Sequence, residues 1–288
     1  MRRSRRARND RRTGEGSAGG RSDGLHRPDR PQQPRRSWTP VLRLISPLVL
    51  LVLWQVLSSA GIVSDKTLAS PAQVVAAAAE LWSDGSLQDA LAVSLQRVLL
   101  GAVLGILVAV LLGVLAGFSR IVELAIDPPI QMLRTVPFLG LIPLFIIWFG
   151  IGEQPKVFLV ALGVLFPLYL NLFAGIRSID GKLIEAAETL GLNKFQLALH
   201  VVLPGALPQA LTGLRMSLGV AWLALIVAEQ INADAGLGYL INNARIYFRI
   251  DIVIFGLLVY AFLGLATDAI VRALEGRLLT WRKTYQGA

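Results

Sequence analysis

Long apolar runs decide what this chain can fold into. An α-helix needs about 20 mostly apolar residues to cross the hydrocarbon core of a membrane. Six stretches approach that length, and the third of them is short and interrupted by prolines. They cover 44–63, 98–118, 136–151, 157–176, 210–231 and 252–271. Since a helix pairs its own backbone polar groups, helices are the expected spanning elements. The sequence therefore predicts an all-α membrane protein with about six transmembrane helices.

The composition supports this class and excludes several others. Hydrophobic residues make up 54% of the chain and charged residues 16%, against about 25% charged residues in soluble domains. There is no cysteine, and His26 and His200 are the two histidines, so thiolate sites and clustered histidine ligands are excluded. No phosphate-binding loop of the Gly-x-x-x-x-Gly-Lys-Ser/Thr type occurs. We expect no catalytic residue, no metal, no cofactor and no enzymatic activity.

Basic charge is concentrated at the N-terminus. The stretch 1–36 holds 12 Arg and 4 acidic residues, which gives +8 of the net charge of +9. Few large apolar residues occur there, so we predict a disordered basic tail over 1–38 and a membrane domain over 39–288. The tail either contacts anionic lipid headgroups or is simply a solvated segment that determines topology. A nucleic-acid-binding fold is not implied.

The distribution of Lys and Arg between loops predicts the orientation in the membrane. With the N-terminus inside, the loops 119–135, 177–209 and 272–288 hold nine of these residues, besides the tail. The outer segments 64–97 and 232–251, together with 152–156, hold five. We therefore expect both termini to be cytoplasmic.

Prolines interrupt the third apolar run. The stretch 127–150 contains Pro128, Pro129, Pro137 and Pro143. Broken helix at membrane depth is tolerated where it is buried in protein or lines a cavity. We predict that 134–148 lines a pore, with Arg134, Pro137 and Pro143 as candidate lining residues. A kinked structural helix is the alternative.

Few ionisable residues fall within the runs. Glu229, near the end of the fifth run, is a further candidate for the pore, where it would pair with a cation or face a vestibule. A carboxylate solvated at the interface is the alternative. Arg97 precedes the second run, where its side chain could extend to the interface. No strong fixed charge is expected in the middle of the pore.

A polar segment separates the fourth and fifth runs. Residues 185–204 read EAAETLGLNKFQLALHVVLP. Helix-forming residues predict a helix over 184–190, and Gly191 can take the left-handed conformation that ends it. Asn193 can cap a second helix over 194–202. Pro204 and Pro208 are expected to end that helix before the membrane.

This segment resembles the EAA loop of type I permeases in ATP-binding-cassette importers. The matching residues are Glu185, Ala186, Ala187, Gly191, Leu203 and Pro204. A narrower likeness to the sulfonate, taurine and nitrate branch, and within it most to the aliphatic sulfonate permeases, is carried by 130–152, 166–180, 201–215 and 225–241. Two features depart from the family pattern. The Arg-rich tail has no counterpart, and Asn193 stands where a small capping residue is common.

The resemblance implies the partners and the location. It implies a homodimer in the inner (plasma) membrane, in contact with membrane lipid, that works with two ATP-binding subunits and a periplasmic or lipid-anchored substrate-binding protein. It places the ATPase-coupling helix at Glu185 to Gly191, with Asn193, Leu203 and Pro204 leading into the fifth span. The implied substrate is an aliphatic sulfonate, with taurine, nitrate or another small anion as the alternative.

Two other classes of protein remain as rivals. A proton-coupled secondary transporter would need ionisable residues near the middle of its spans and an internal repeat, and neither is evident in the sequence. A membrane scaffold would need no proline-broken span beside a polar loop. Association with an ATPase discriminates both from an importer subunit.

Overall fold

The computed structural model describes residues 39–62, 64, 67–231 and 233–280. Every regular element in these ranges is helical, which confirms the predicted class. The helices are α1 (Thr39–Ser59), α2 (Pro71–Ser83), α3 (Ser86–Phe118), α4 (Arg120–Arg134), α5 (Phe138–Phe149), α6 (Gln154–Arg177), α7 (Gly181–Thr189), α8 (Lys194–Leu197), a π-helical turn (Ala198–Val202), α9 (Leu203–Ile231), α10 (Leu237–Ile246) and α11 (Ile250–Leu278). The predicted tail 1–38 lies outside the described residues. All packing described below is within Pro47–Ala288.

Four of the predicted spans correspond to helices that are long and apolar enough to cross a membrane. They are Ser86–Phe118, Gln154–Arg177, Lys194–Ile231 and Ile250–Leu278. The first and third predicted spans coincide with shorter apolar helices, Val49–Ser59 and Gly140–Phe149. Helix α5, with 12 residues, is about 18 Å long at 1.5 Å per residue, which is shorter than the hydrocarbon thickness of about 30 Å.

Helix α6 lies at the centre, between α3 and α9. Four glycines of α3 face it, namely Gly101, Gly105, Gly113 and Gly117. A Cβ atom added at Gly105 would lie 2.4 Å from the carbonyl oxygen of Ala161. The absence of side chains therefore lets the two helix backbones approach closely, so these glycines serve packing within one subunit.

Helix α4 corrects the prediction of a loop over 119–135. Ile130 is buried in a cluster with Phe166 and Tyr169 of α6, and the hydroxyl of Tyr169 donates to Asp127 at 3.3 Å. Glu123 in the first turn of α4 pairs with Arg177 at the end of α6. Because α4 therefore runs antiparallel to α6 from that end, its last residues reach the middle of α6.

The segment before α3 forms the short helix α2. Ser70 caps α2, and its side chain and that of Gln73 exchange hydrogen bonds with each other's backbone N–H groups. Val74, Ala77 and Leu81 form the buried face. The helix thus packs on the rest of the protein through this face.

Candidate functional site

The polar segment between α6 and α9 begins with α7. Asp180 caps this helix by accepting from the backbone N–H of Lys182 at 3.0 Å. Helix α7 starts three residues earlier than the predicted 184 and ends at Thr189. Glu185 and Ala186 are exposed on it, whereas Ala187 is buried.

Gly191 ends α7 in the predicted left-handed conformation, with φ of +83°. Its N–H donates to the carbonyl of Glu188 at 2.9 Å, and the N–H of Leu192 donates to that of Ala187 at 3.2 Å. This pair of bonds is the Schellman arrangement, which satisfies carbonyls at a helix end. No atom lies within 4 Å of a Cβ atom added at Gly191, so backbone conformation alone requires glycine here.

Asn193 caps the second helix, as the sequence predicts. Its side-chain oxygen accepts from the N–H of Gln196 at 2.9 Å, and the Gln196 side chain accepts from the N–H of Asn193 at 3.0 Å. This reciprocal capping box defines where the chain turns.

The predicted end of that helix at Val202 is wrong. Helical structure continues from Lys194 to Ile231 over 38 residues, and Leu203 and Pro204 form the first turn of α9. Pro204 has no N–H to donate to the carbonyl of His200, four residues earlier. The π-helical turn directly before α9 accommodates this mismatch by local widening. The segment after Asn193 is therefore one continuous helical rod.

Apolar side chains are exposed on this polar segment. The exposed fractions are 58% at Leu183, 81% at Leu190 and 76% at Phe195. Lys182, Glu185, Glu188 and Lys194 are exposed around them in the sequence. We call these seven residues the loop surface. Large exposed apolar side chains among charged residues are typical of a protein contact.

The proline-rich stretch breaks between α4 and α5. Arg134 ends α4, and Pro137 occupies the N-cap position of α5. Pro143 lies inside α5, whose Leu141 and Ile142 are buried against α6 and α9. The break itself is thus at 135–137, and Pro128 and Pro129 remain within α4.

Arg134 lies at a different depth from the one expected. It lines a cavity of about 410 Å³ together with Gly163, Phe166 and Asn171 of α6. These residues occupy the middle of α6, which runs over 154–177. Helix α4 thus folds back along α6 and carries a guanidinium to the middle of that helix.

Glu229 is in a closed cluster and not on an open surface. Its side chain is buried, with 1% of the residue exposed. It accepts hydrogen bonds from Arg97 at 2.7 Å, Ser94 at 2.8 Å and Tyr260 at 3.0 Å, and the backbone N–H of Gly238 adds a fourth at 2.8 Å. Glu229 is therefore paired with a cationic side chain, as one of the predictions for it states. It is neither solvated at the membrane interface nor open to a vestibule.

Arg97 extends this cluster to α6. It is 3% exposed, which corrects the expectation that its side chain extends to the membrane interface. Its guanidinium also donates to Glu153 at 2.7 Å and to the carbonyl of Ala235 at 2.6 Å, and Lys156 pairs with Glu153 at 3.0 Å. The Glu229 cluster therefore comprises Ser94, Arg97, Glu153, Lys156, Glu229 and Tyr260.

The hydrogen bond from Arg97 lowers the pKa of Glu153 to about 2. Glu153 precedes α6 and its side chain is more than half exposed. It is therefore ionised at neutral pH and balances the buried Arg97 together with Glu229.

Sequence reasoning missed most members of this cluster. Ser94 and Tyr260 are 135 and 31 residues from Glu229, and neither carries a distinguishing pattern. The signal that was available in the sequence is the pair of glycines after α9, Gly236 and Gly238, because their backbone lies against Glu229. A Cβ atom at Gly236 would lie 2.3 Å from a carboxylate oxygen of Glu229, and one at Gly238 would lie 2.5 Å from its Cβ.

No cluster of metal-ligating side chains lies beside these residues in the described part of the chain. Within 39–62, 64, 67–231 and 233–280, no three His, Asp or Glu side chains converge as metal ligands would.

Comparison with known proteins adds a family and several relatives. Residues 91–280 match the family of the binding-protein-dependent transport system inner membrane component. A Bacillus subtilis (strain 168) protein named for aliphatic sulfonates transport, the permease protein SsuC, is 44% identical over 90% of this chain and 93% of its own length. The protein of that name from Escherichia coli (strain K12) is 48% identical over 83% and 91%. The taurine transport system permease protein TauC of the same strain is 37% identical over 83% and 88%.

Solved structures with the same fold are more distant in sequence. An amino acid ABC transporter solved with histidines matches with a TM-score of 0.55 and 21% identity, over 65% of this chain and 92% of that one. The methionine ABC transporter MetNI in inward-facing conformations matches with a TM-score of 0.52 and 20% identity, over 62% and 92%. At these identities the likeness describes the fold alone.

Proposed function

As a member of the family of binding-protein-dependent transport system inner membrane components, this chain is a permease subunit of an ATP-binding-cassette importer, and we propose that it transports aliphatic sulfonates. The observation that carries the substrate is the likeness over almost the whole chain to two permeases named for aliphatic sulfonates. Taurine is the second candidate, since a permease named for taurine transport is 37% identical.

An importer of this family works with ATP-hydrolysing and substrate-binding partners. We propose that two copies of this chain form a homodimer that binds two ATP-binding subunits and a periplasmic or lipid-anchored binding protein. Both termini would be cytoplasmic, with the basic tail 1–38 near membrane lipid. Arg134, Arg97 and Lys156 lie in helices and not in loops. Without them, the inner loops hold eight basic residues instead of nine, and the outer segments hold three instead of five. The asymmetry that supports this orientation persists.

The loop surface is the proposed contact with the ATPase. Glu185, Ala186 and Ala187, with the turn at Gly191, would form the docking helix. Exposed Leu190 and Phe195 supply apolar area that has no partner among the described residues, and rims of charge favour specific docking. Asn193, Leu203 and Pro204 lie in or at the start of the helical rod that leads into α9. A displacement at the docking helix would thereby reach the span directly.

The translocation path is proposed to pass the break between α4 and α5. Arg134, Pro137 and Pro143 stay candidates for its lining, since all three lie at exposed positions and broken helix is tolerated beside a cavity. Glu229 is omitted from this set because its carboxylate is enclosed within one subunit.

Growth of a deletion strain tests the substrate. A strain that lacks this chain should fail to grow on ethanesulfonate as the sulfur source and recover on complementation, with taurine as sole sulfur source and nitrate as sole nitrogen source in parallel. Recovery with taurine alone would replace the proposed substrate, and growth of the deletion strain on ethanesulfonate would refute it.

Substitution at Gly191 tests the docking segment. Gly191→Val forces a β-branched residue into the left-handed region, whereas Gly191→Asn is a matched control because Asn adopts that conformation readily. We expect the Val variant to lose co-purification with the ATPase and uptake, and the Asn variant to keep both. Equal co-purification and uptake in both variants would contradict the proposed contact.

A further inference from the structure

The cavity beside Arg134 carries a charge that the protein itself leaves unbalanced. Arg134 is exposed and has no ion-pair or hydrogen-bond partner among the described residues. Lys182, Lys194 and Arg277 also lack an ion pair in that part of the chain, but they lie on the polar segment or at the end of α11. Arg134 alone of these four lies beside the middle of α6.

An unbalanced guanidinium at this level is costly. A charged side chain in the middle of a membrane helix costs about 2.5 to 3.5 kcal/mol on insertion scales. The buried Arg97 is paired with two carboxylates, whereas Arg134 is exposed beside its cavity. An arginine that remains unpaired at such a depth is therefore expected to have a ligand that is absent from the free chain.

The rest of the cavity is apolar except for Asn171. Phe166, Leu170, Val220 and Met216 line it. The Asn171 amide already donates to the carbonyl of Pro167 at 2.8 Å. Arg134 is therefore the charged group in this cavity that can donate hydrogen bonds to a ligand. A ligand for this space thus has one anionic group and a small apolar body.

A second cavity continues the apolar surface. It has a volume of about 580 Å³ and shares Pro167, Met216 and Val220 with the first. Trp222, Leu223 and Leu257 add further apolar lining. No atom lies within 4 Å of a Cβ atom added at Gly219 or Gly264, both of which line this second cavity. The apolar surface that begins beside Arg134 is therefore long enough for an alkyl chain.

We infer that the two cavities form a substrate subsite in which Arg134 binds the sulfonate group of an alkylsulfonate and the apolar cavity holds its chain. Arginine suits this role because its planar array of N–H donors binds oxyanions in paired hydrogen bonds. The inference rests on the proposed function. It adds that Arg134 binds the anionic group and that affinity depends on the length of the alkyl chain. The permease would thus select its substrate in addition to the binding protein.

Direct binding tests the charged end. The permease would be purified with its ATPase in lipid nanodiscs, and binding of radiolabelled hexanesulfonate measured by equilibrium dialysis. We expect Arg134→Gln to weaken binding about 10- to 100-fold, as for loss of a charge-assisted hydrogen-bonded pair, and Arg134→Lys to weaken it less. Arg277→Gln removes a charge that also has no ion pair but lies outside both cavities, so it should leave binding unchanged. Wild-type affinity in Arg134→Gln, or no binding to the wild-type complex, would overturn the inference.

Chain length tests the apolar end. Gly219→Leu should fill the second cavity. It should weaken the binding of hexanesulfonate at least tenfold more than the binding of ethanesulfonate. Gly276→Leu is the matched control, since its Cβ would also meet no atom within 4 Å and it lines neither cavity. Equal losses for the two sulfonates, or no loss, would refute the assignment of the chain.

Two further comparisons separate the outcomes. Nanodiscs of phosphatidylcholine alone, compared with nanodiscs that also contain phosphatidylglycerol, distinguish a free anion from a lipid headgroup as the ligand. If hexanesulfonate binding is lost when phosphatidylglycerol is present, the cavity is a lipid site instead. Failure of sulfonate-dependent growth with binding intact would refute the proposed function but keep the subsite. Normal growth with wild-type affinity in Arg134→Gln would refute the subsite alone.

Discussion

Two arginines of this chain lie among apolar helices with opposite surroundings. Arg97 donates to Glu153, Glu229 and a backbone carbonyl, and it is almost completely buried. Arg134 has no such partner in the described part of the chain and borders a cavity. A buried charge with all of its hydrogen bonds made holds helices together, whereas an exposed one without a counter-ion is available to a ligand. The same residue type thus has a structural role at one position and a proposed binding role at the other.

Removing Arg97 should have the largest effect on stability. Arg97→Met leaves the Glu229 carboxylate buried with one partner fewer, and loss of one member of a buried ion pair costs about 3 to 5 kcal/mol. Thermal unfolding of the detergent-solubilised chain should show a marked fall of the midpoint. Addition of Glu229→Gln should recover part of the loss, and a midpoint equal to that of the unmodified chain in the single variant would contradict the assigned role.

A methyl group beside Glu229 should act nearly as strongly. Gly236→Ala places a Cβ atom 2.3 Å from a Glu229 oxygen, at a backbone φ of +110° that disfavours any side chain. Overpacking of this kind costs about 1 to 3 kcal/mol. Gly264→Ala has open space at the same atom and is the control for the thermal midpoint. Equal midpoints in the two variants would show that the loop adapts around Glu229.

Acid should weaken the Glu229 cluster at its exposed end. The pKa of Glu153 is lowered by the hydrogen bond from Arg97, from 4.5 to about 2. A carboxyl group with a lowered folded-state pKa stabilises the protein above its unfolded pKa, and that stabilisation is lost as the pH falls towards the folded value. Between pH 4.5 and about 2, the unfolding midpoint should therefore fall less steeply in Glu153→Gln than in the unmodified chain. Parallel pH profiles would argue against the pairing.

Removing Arg134 should have the smallest effect on stability. Arg134→Met breaks no ion pair or hydrogen bond in the described residues, so the free energy of unfolding should stay within about 0.5 kcal/mol of the original value or rise. Uptake of hexanesulfonate should nevertheless fall. A loss of stability as large as that of Arg97→Met would show that Arg134 is structural, and the contrast between the two arginines would disappear.

Local sequence signals predicted the polar segment well. Gly191 and Asn193 act through backbone conformation and short-range hydrogen bonds, which depend on residues at most four positions away. Pro204 was misjudged for a related reason. A proline ends a helix only if the missing hydrogen bond cannot be accommodated, and here a π-helical turn accommodates it.

The positions of the charges could not be predicted in the same way. Arg97 and Glu229 are 132 residues apart, and no periodicity relates them. Arg134 stood in a polar stretch that charge counting assigned to a loop, and it was the packing of α4 along α6 that brought it to mid-span depth. Depth in the membrane follows from the packing of a helix against its neighbours, which hydropathy along the chain does not describe.

The sequence by itself determined the class of protein, the approximate spans and the turn at Gly191. Hydropathy and left-handed backbone conformation are local properties of residues, so reading along the chain suffices for them. Tertiary structure decided which charges are paired and which remain open. Burial and ion pairing depend on contacts between distant helices, and close approach of α3 to α6 and of the 235–238 backbone to Glu229 exists only once the chain has packed.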